Sequence, residues 1–220
     1  MHSVLMISWQ RKKIMIDCGA DWSGKQHKIR PDAILLTHAH MDHAGGLKSG
    51  AACPVYATVE TWDRIRVGPV PERVIVHEQS PFKLFGVEFE AFPVEHSIRA
   101  PAIGYRFTAA GKSVFYAPDL VRILDETNAL KKIGLYVGDG AAITRPILRN
   151  RDGVFIGHAS IRTQLEWCAK QSVPRAIFSH CGKEIVAGDH RAAVEKVRGI
   201  GEQVGVKAAI ACDGLQILVN

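Results

Sequence analysis

The sequence predicts an α+β fold in which two mixed β-sheets pack face to face and helices cover them. Three observations lead to this class. Short β-rich segments dominate the first half of the chain, strands alternate with amphipathic segments in the second half, and polar residues directly follow several apolar strands. Functional side chains are expected where these strands end, because loops on a rigid scaffold usually present the chemistry.

The strands of the first half are short, and Gly, Pro, Asn or Asp separates most of them, as hairpins require. They are predicted at residues 4–8, 14–18, 33–37, 73–76, 82–85, 87–92, 102–107 and 113–116. Gly86 lies between two of these strands and predicts a tight turn. The second half adds predicted strands at residues 135–137, 176–179, 207–211 and 215–219.

Two helices are predicted among the later strands, from apolar residues at helical spacing. The first helix, at residues 160–171, has Ser160 as its N-cap. Its apolar face is formed by Ile161, Leu165 and Cys168. The second helix has Asp189 as its cap. Its apolar face includes Val194, Val197 and Val204.

Length and composition predict one globular domain over residues 1–220, with 47% hydrophobic and 23% charged residues. No apolar run reaches the length of a membrane span, and the first residues lack the features of a signal peptide. Five cysteines without a Cys-x-x-Cys pair argue against a disulfide framework and favour the cytoplasm. The net charge of +6 suits an anionic substrate. Because Lys and Arg are spread along the sequence, they do not predict a nucleic-acid groove.

The strongest chemical signal is the pattern Thr-His-Ala-His-Met-Asp-His at residues 37–43, directly after an apolar run at residues 33–36. Imidazole and carboxylate groups are costly to bury, and they suit zinc, manganese or iron. His38 and His40 alternate along an extended chain and therefore point the same way. Asp42 and His43 come one turn later and can reach the position of a second ion. The pattern predicts a metal site, with two ions plausible.

Three further side chains follow apolar strands in the same manner. His96 comes after residues 92–95, Asp119 after residues 114–118 and His180 after residues 177–179. Each alone is more often an ordinary polar residue, but the shared placement makes them candidate ligands.

Together these motifs resemble the metallo-β-lactamase-fold superfamily, over nearly the whole chain. The resemblance implies an αββα sandwich with a two-metal site on one edge. It implies a first ion held by His38, His40 and His96. It implies a second ion held by Asp42, His43 and His180, with Asp119 bridging both. True β-lactamases with two zinc ions usually carry Cys at the Asp119 position, so the chain does not resemble those.

Residues 93–97 and 103–107 resemble the phosphodiesterase branch, which includes the transfer-RNA 3′-processing endonuclease and a cyclic phosphodiesterase of phosphonate breakdown. His158 occupies the place of a histidine that acts on the phosphate in those enzymes, before a helix whose N-terminus also attracts anions. Asp139 either orients His158 or is a turn residue between two glycines. The glycine-rich first strand of the family is missing or shortened, as in a truncated or wrongly started chain. No long insertion is present to serve as an arm that grips transfer RNA.

The resemblance thus implies a hydrolase in which a hydroxide shared by two divalent ions attacks a phosphodiester, with Asp42 orienting it and His158 acting on a phosphoryl oxygen. A lactonase or thioesterase of the glyoxalase II type, with the same ligands, and a non-haem iron persulfide dioxygenase remain alternatives. The substrate is expected to be a small-molecule or nucleotide phosphodiester, selected by pocket-lining loops at residues 57–71 and 141–151. The sequence leaves open the native metal (zinc, manganese or iron), nucleic-acid binding and the oligomeric state, a homodimer included.

Overall fold

The computed structural model describes His2 and residues 4–219. Its strands are β1 (Leu5–Trp9), β2 (Lys12–Ile16), β3 (Ala33–Leu35), β4 (Val55–Ala57), β5 (Arg73–Ile75), β6 (Phe82–Leu84), β7 (Val87–Glu95), β8 (Ala102–Ala109), β9 (Lys112–Tyr116), β10 (Arg122–Ile123), β11 (Leu135–Asp139), β12 (Ile147–Arg151), β13 (Val154–His158), β14 (Arg175–Ser179) and β15 (Lys207–Ile210). Its α-helices are α1 (Gln26–Ile29), α2 (Met41–Ala44), α3 (Val59–Arg64), α4 (Glu126–Ala129), α5 (Ile161–Lys170), α6 (Lys183–Val186) and α7 (His190–Gln203). Strands and helices mix along the chain, so the predicted α+β class is confirmed.

The chain forms two compact units, and the division falls within β7 and β8. The first unit runs up to Ala91 and includes Arg99–Ile103; the second comprises Phe92–Ile98 and the chain from Gly104 onward. The assignment of residues 1–220 to a single domain stays a prediction. No helix in the described part of the chain is long and apolar enough to cross a membrane.

The first unit contains a five-stranded sheet in the order β1-β2-β3-β4-β5. β1 and β2 form an antiparallel hairpin, and the remaining neighbours are parallel. All three residues of β3 are fully buried. A continuous apolar run is typical of a central strand in a parallel arrangement, because both of its faces are covered. The histidine pattern therefore begins just after the end of a buried strand.

The second sheet has the order β10-β7-β8-β9-β11-β14-β15, and β6 pairs with β7. β9, β11, β14 and β15 run parallel to one another, so the C-terminal ends of β9, β11 and β14 lie on one edge. The predicted N-caps of α5 and α7 are confirmed: the Ser160 side chain accepts a hydrogen bond from the backbone N–H of Thr163, and Asp189 from that of Ala192. These helices connect parallel strands, as such sheets require.

Two local predictions were wrong. Residues 215–219 form no strand, and the apolar side chains of Leu215, Ile217 and Leu218 are exposed there, so no burial orders the segment as one. Residues 147–151, expected within a loop, form β12, which pairs with β13 in a separate two-stranded sheet. The predicted turn at Gly86 is confirmed by its φ of 83°.

Candidate metal centre

In the first unit, the histidine pattern follows β3, and His40 is the N-cap residue of α2. The Thr37 hydroxyl lies 3.0 Å from His38 Nδ1. His38 Nε2 in turn lies 3.0 Å from His40 Nδ1, so the two rings converge as the alternation predicts. Asp42 Oδ2 is 3.6 Å from His43 Nε2. The four predicted ligands of this segment therefore form one cluster.

Asp17, a residue that the sequence analysis did not predict, holds Thr37 and His43 of this cluster in place. Its fully buried carboxylate accepts hydrogen bonds from the backbone N–H of Thr37 (2.8 Å) and from the Thr37 hydroxyl (2.9 and 3.0 Å). Its Oδ2 also lies 2.8 Å from His43 Nδ1. Because His43 Nδ1–H donates to Asp17, the Nε2 atom is left as the ligand atom. The available signal was a carboxylate directly after the apolar strand β2.

The Asp17 contact also determines the tautomer of His38. Since the Thr37 hydroxyl donates its proton to Asp17, its oxygen can accept one from His38 Nδ1. His38 then presents Nε2 as its basic nitrogen. Both buried histidines of the first unit are therefore held in the form that binds a metal ion.

In the second unit, the predicted ligands lie where β7, β9 and β14 end. His96 Nε2 is 3.5 Å from Asp119 Oδ2, and His180 Nδ1 is 2.9 Å from Asp119 Oδ1. His96 Nδ1 lies 2.9 Å from the carbonyl of Gly157 and donates to it, which leaves Nε2 as the ligand atom. His180 has a φ of 53°, a conformation that few residues adopt, so the chain turns sharply there.

His158 lies beside these ligands at the end of β13. Its Nδ1 is 2.8 Å from Asp139 Oδ2, whose side chain is fully buried, and 3.9 Å from Asp119 Oδ1. Burial lowers the pKa of His158, but the hydrogen bond and charge of Asp139 and the charge of Asp119 outweigh it, so the pKa is raised. Burial raises the pKa of Asp139 in spite of the opposing hydrogen bond from His158. Of the two interpretations left open for Asp139, orientation of His158 is the one this contact supports.

Asp139 is itself held by Gln164, a second residue that sequence reasoning missed. The fully buried Gln164 side chain accepts from the Asp139 backbone N–H at 2.9 Å and donates to the Asp139 carbonyl at 2.8 Å. It also accepts from the Tyr136 hydroxyl at 3.0 Å. One Asp139 side-chain oxygen additionally accepts from the backbone N–H of Leu120 at 3.1 Å. No pattern distinguishes Gln164 from other residues of an amphipathic helix.

The donor set fits hard or borderline divalent cations. Within the second unit, ligand atoms of Asp119, Asp139, His158 and His180 all lie within 4.8 Å of one another. Imidazole and carboxylate ligands suit zinc, manganese and iron. The thiol of Cys181, next to His180, lies 3.7 Å from the Phe178 carbonyl, and burial raises its pKa to about 11. A thiolate ligand is therefore not expected from Cys181.

A model of the beta-lactamase superfamily domain matches residues 12–181 of this chain. The chain is 31% identical over 134 residues to exodeoxyribonuclease WalJ of Streptococcus pneumoniae, covering 52% of this chain and 49% of that protein. It spans between 24% and 49% of the length of the curated relatives it matches.

Solved structures of other proteins share the fold, and two of them serve as examples. The metallo-β-lactamase fold protein YhfI from Bacillus subtilis has a TM-score of 0.75 at 15% identity, over 97% of this chain and 90% of that one. A diphosphatase from the PhnP family has a TM-score of 0.71 at 21% identity, over 100% of this chain and 85% of that one. Together with the family match, these likenesses confirm the metallo-β-lactamase fold that the resemblance implies. The chain belongs to the family of beta-lactamase superfamily domains.

Proposed function

We propose that the chain is a phosphodiesterase that works with two divalent metal ions, zinc or manganese. The seven ligands are His38, His40, Asp42, His43, His96, Asp119 and His180. Their division between the ions follows the family pattern, with Asp119 bridging. The relative named an exodeoxyribonuclease and the structure of a diphosphatase support a reaction at phosphorus.

The observation that carries this proposal is the contact between His158 and Asp139. His158 is not a member of the seven-ligand pattern, yet a fully buried carboxylate holds its Nδ1 at 2.8 Å. A carboxylate that accepts from Nδ1–H orients the ring and stabilises its protonated form, in which Nε2–H is a hydrogen-bond donor and a proton donor. An oriented imidazole beside a cluster of candidate ligands is suited to stabilise a phosphoryl oxygen whose negative charge grows during the reaction.

Each residue then has a stated task. When bound, the two ions lower the pKa of water to roughly 7 and offset the negative charge of the phosphodiester. Asp42, half-buried at the start of α2, would orient the attacking water by accepting a hydrogen bond from it. His158 Nε2 binds the phosphoryl oxygen or gives a proton to the leaving oxygen. Asp17 keeps His43 in the tautomer with a basic Nε2, whereas Asp139 orients His158 and stabilises the protonated ring that carries the Nε2–H.

The test pairs metal analysis by plasma mass spectrometry with hydrolysis of bis(p-nitrophenyl) phosphate by the same sample. We expect about two zinc or manganese ions per chain and clear turnover. His158→Ala should keep the metal and lose turnover about a hundredfold or more. Asp119→Ala should lose one or both ions. His190→Ala, at an exposed histidine that begins α7, is the matched control and should change neither quantity.

Other outcomes would replace the proposal. Full activity in His158→Ala removes His158 from the mechanism, and unchanged metal content in Asp119→Ala contradicts the bridging role. Two ions without phosphodiester turnover, together with thioester or lactone hydrolysis, would favour the glyoxalase II type of reaction. One iron per chain with oxygen consumption would identify a persulfide dioxygenase.

A further inference from the structure

The hairpin of β12 and β13, residues 147–158, forms an arm that pairs with no other strand in the described part of the chain. Five residue pairs join its strands, and Asp152 and Gly153 turn between them with φ values of 53° and 83°. Positive φ at both turn residues is typical of the two-residue hairpin loop whose twist matches the strands. Two-stranded hairpins are marginally stable alone in water, so this arm needs support at its base.

That support comes from a metal-ligand residue. Gly157 donates its backbone N–H to the His96 carbonyl at 2.9 Å and accepts from His96 Nδ1 at 2.9 Å. Gly157 has a φ of 126°, and a Cβ atom there would lie 1.9 Å from the Ile147 carbonyl oxygen. Only glycine can therefore occupy this position. The base of the arm is fixed to the candidate metal centre at two points.

The register of the arm determines which side chains share a face with His158. His158 pairs with Ile147, Ile156 with Arg149, and Val154 with Arg151. Paired residues lie on the same face, and alternate residues of a strand do so as well. Arg149 and Arg151 therefore extend from the His158 end toward the tip on the His158 face, about 6.6–6.8 Å apart along the strand.

Both arginines are exposed, and neither side chain makes a hydrogen bond or ion pair with any residue that the structure describes. Large apolar side chains on the arm are exposed as well, among them Ile147 and Val154 at 48% and 41%. Leu148 and Phe155, on the opposite face, are exposed to a similar extent, so the two arginines distinguish the His158 face and the apolar side chains do not. Although Lys and Arg are spread along the sequence, the hairpin aligns two of them with the candidate catalytic histidine.

We propose that the His158 face of this arm binds the backbone of a single-stranded nucleic acid whose scissile phosphodiester lies at His158. Arg149 and Arg151 contact successive phosphates away from the reacting one, since guanidinium groups pair with phosphate oxygens in bidentate fashion. Ile147 and Val154 cover sugar and base surfaces between them. This inference rests on the proposed function and gives its substrate class.

A second copy of the chain is a poorer occupant of this face. A two-fold interface places the same patch against itself, so each Arg149 and Arg151 would meet equivalent arginines. Like charges brought together in an interface oppose association. The phosphates of a nucleic acid instead supply the opposite charge at each arginine.

The experiment compares two substrates for the metal-loaded protein: bis(p-nitrophenyl) phosphate and a single-stranded oligothymidylate of about 12 nucleotides. In Arg149→Ala/Arg151→Ala, the ratio of kcat/KM for the oligonucleotide to that for the small substrate should fall about tenfold or more, mainly through KM. Arg149→Lys/Arg151→Lys should recover part of this loss because it restores the charges. Arg191→Ala/Arg198→Ala removes the same two charges from α7 and should change the ratio less than about twofold.

Binding is measured separately, by fluorescence anisotropy with a labelled phosphorothioate oligonucleotide. Two lost phosphate contacts should make the dependence of log Kd on log salt concentration shallower by about 1.4 in the arm variant. Wild-type affinity and an unchanged salt slope in that variant would overturn the inference. So would equal losses on both substrates, or an arm-dependent dimer in size-exclusion chromatography. If the wild-type protein binds the oligonucleotide through the arm but hydrolyses neither substrate, the proposed function fails and the arm assignment stands.

Discussion

Replacement of Gln164 by leucine should reveal how strongly one buried amide supports the candidate site. The leucine side chain has a similar volume but neither donates nor accepts hydrogen bonds. Three groups would lose their partner at once: the N–H and C=O of Asp139, at 2.9 and 2.8 Å, and the Tyr136 hydroxyl at 3.0 Å. Tyr136 and Asp139 are fully buried, so water cannot replace the lost bonds without local opening.

The expected loss follows from the number of groups left without a partner. Each buried donor or acceptor without a partner costs about 1–2 kcal/mol, so the loss of three partners in Gln164→Leu should lower the free energy of unfolding by about 3–6 kcal/mol. Tyr136→Phe removes only the hydroxyl and leaves the Asp139 N–H bonded to Gln164, so it should cost about 1 kcal/mol. In the leucine background that hydroxyl has no partner, and its removal should cost nothing or increase stability.

The assay is urea unfolding followed by circular dichroism, with the metal concentration held constant for wild type, both single variants and the double variant. The double variant should be at least as stable as Gln164→Leu alone, a coupling of about 1–3 kcal/mol. Gln171→Ala, at the C-cap of the same helix, is the control. Its half-buried amide donates to Glu126 at 3.0 Å, and we expect a cost below about 1 kcal/mol. Additive effects of Tyr136→Phe and Gln164→Leu would refute this account of the network.

Two further predictions concern the first unit and the cysteines. Asp17→Asn should weaken metal binding about 10–100-fold in a chelator competition, because the amide no longer holds His43 and Thr37 as a carboxylate does; unchanged affinity would show that the contact is dispensable. Iodoacetamide at pH 8 should label Cys212, which is exposed, and leave the other cysteines unmodified in the folded protein. Burial raises the pKa of Cys18 to about 12 and that of Cys53 and Cys181 to about 11, and it also raises that of Cys168. Rapid labelling of Cys18, Cys53 or Cys168, detected by mass spectrometry, would contradict their burial, and rapid labelling of the half-buried Cys181 would contradict its raised pKa.

Much of the fold could be predicted because burial and sequence pattern agree there. β3 is an uninterrupted apolar run, and the caps of α5 and α7 are residues whose side chains accept the first backbone hydrogen bonds. The prediction at residues 215–219 was wrong for the opposite reason. That segment is a short, almost continuous apolar run such as a buried strand has, but Leu215, Ile217 and Leu218 are exposed and no described strand pairs with it. Such a run shows that a segment is able to form a strand, whereas a partner decides whether it does.

The candidate ligands could be named from sequence because metal ligands need particular residue types at the ends of strands. The residues that hold those ligands in place follow no such rule. Asp17 carries a signal, a carboxylate directly after β2, but many carboxylates follow strands without any role. Gln164 holds Asp139 only because α5 places its amide against the Asp139 backbone. The distances between the two residues depend on the packing of the whole second unit. Supporting contacts of this kind become visible only in three dimensions.

The arm, too, could be predicted from the sequence only in part. Asp152-Gly153 between two short segments, the second of them rich in β-branched and aromatic residues, is a recognisable hairpin signal, and with it the strands at residues 147–151 and 154–158 could have been predicted. The register is a separate matter, because a shift of one residue moves every side chain to the opposite face. In the observed register Arg149 and Arg151 lie with His158; after such a shift Asn150 would take their place. Whether the arm presents positive charge to the candidate catalytic histidine is thus decided by the two-residue turn and by the bonds between Gly157 and His96, which together fix the register.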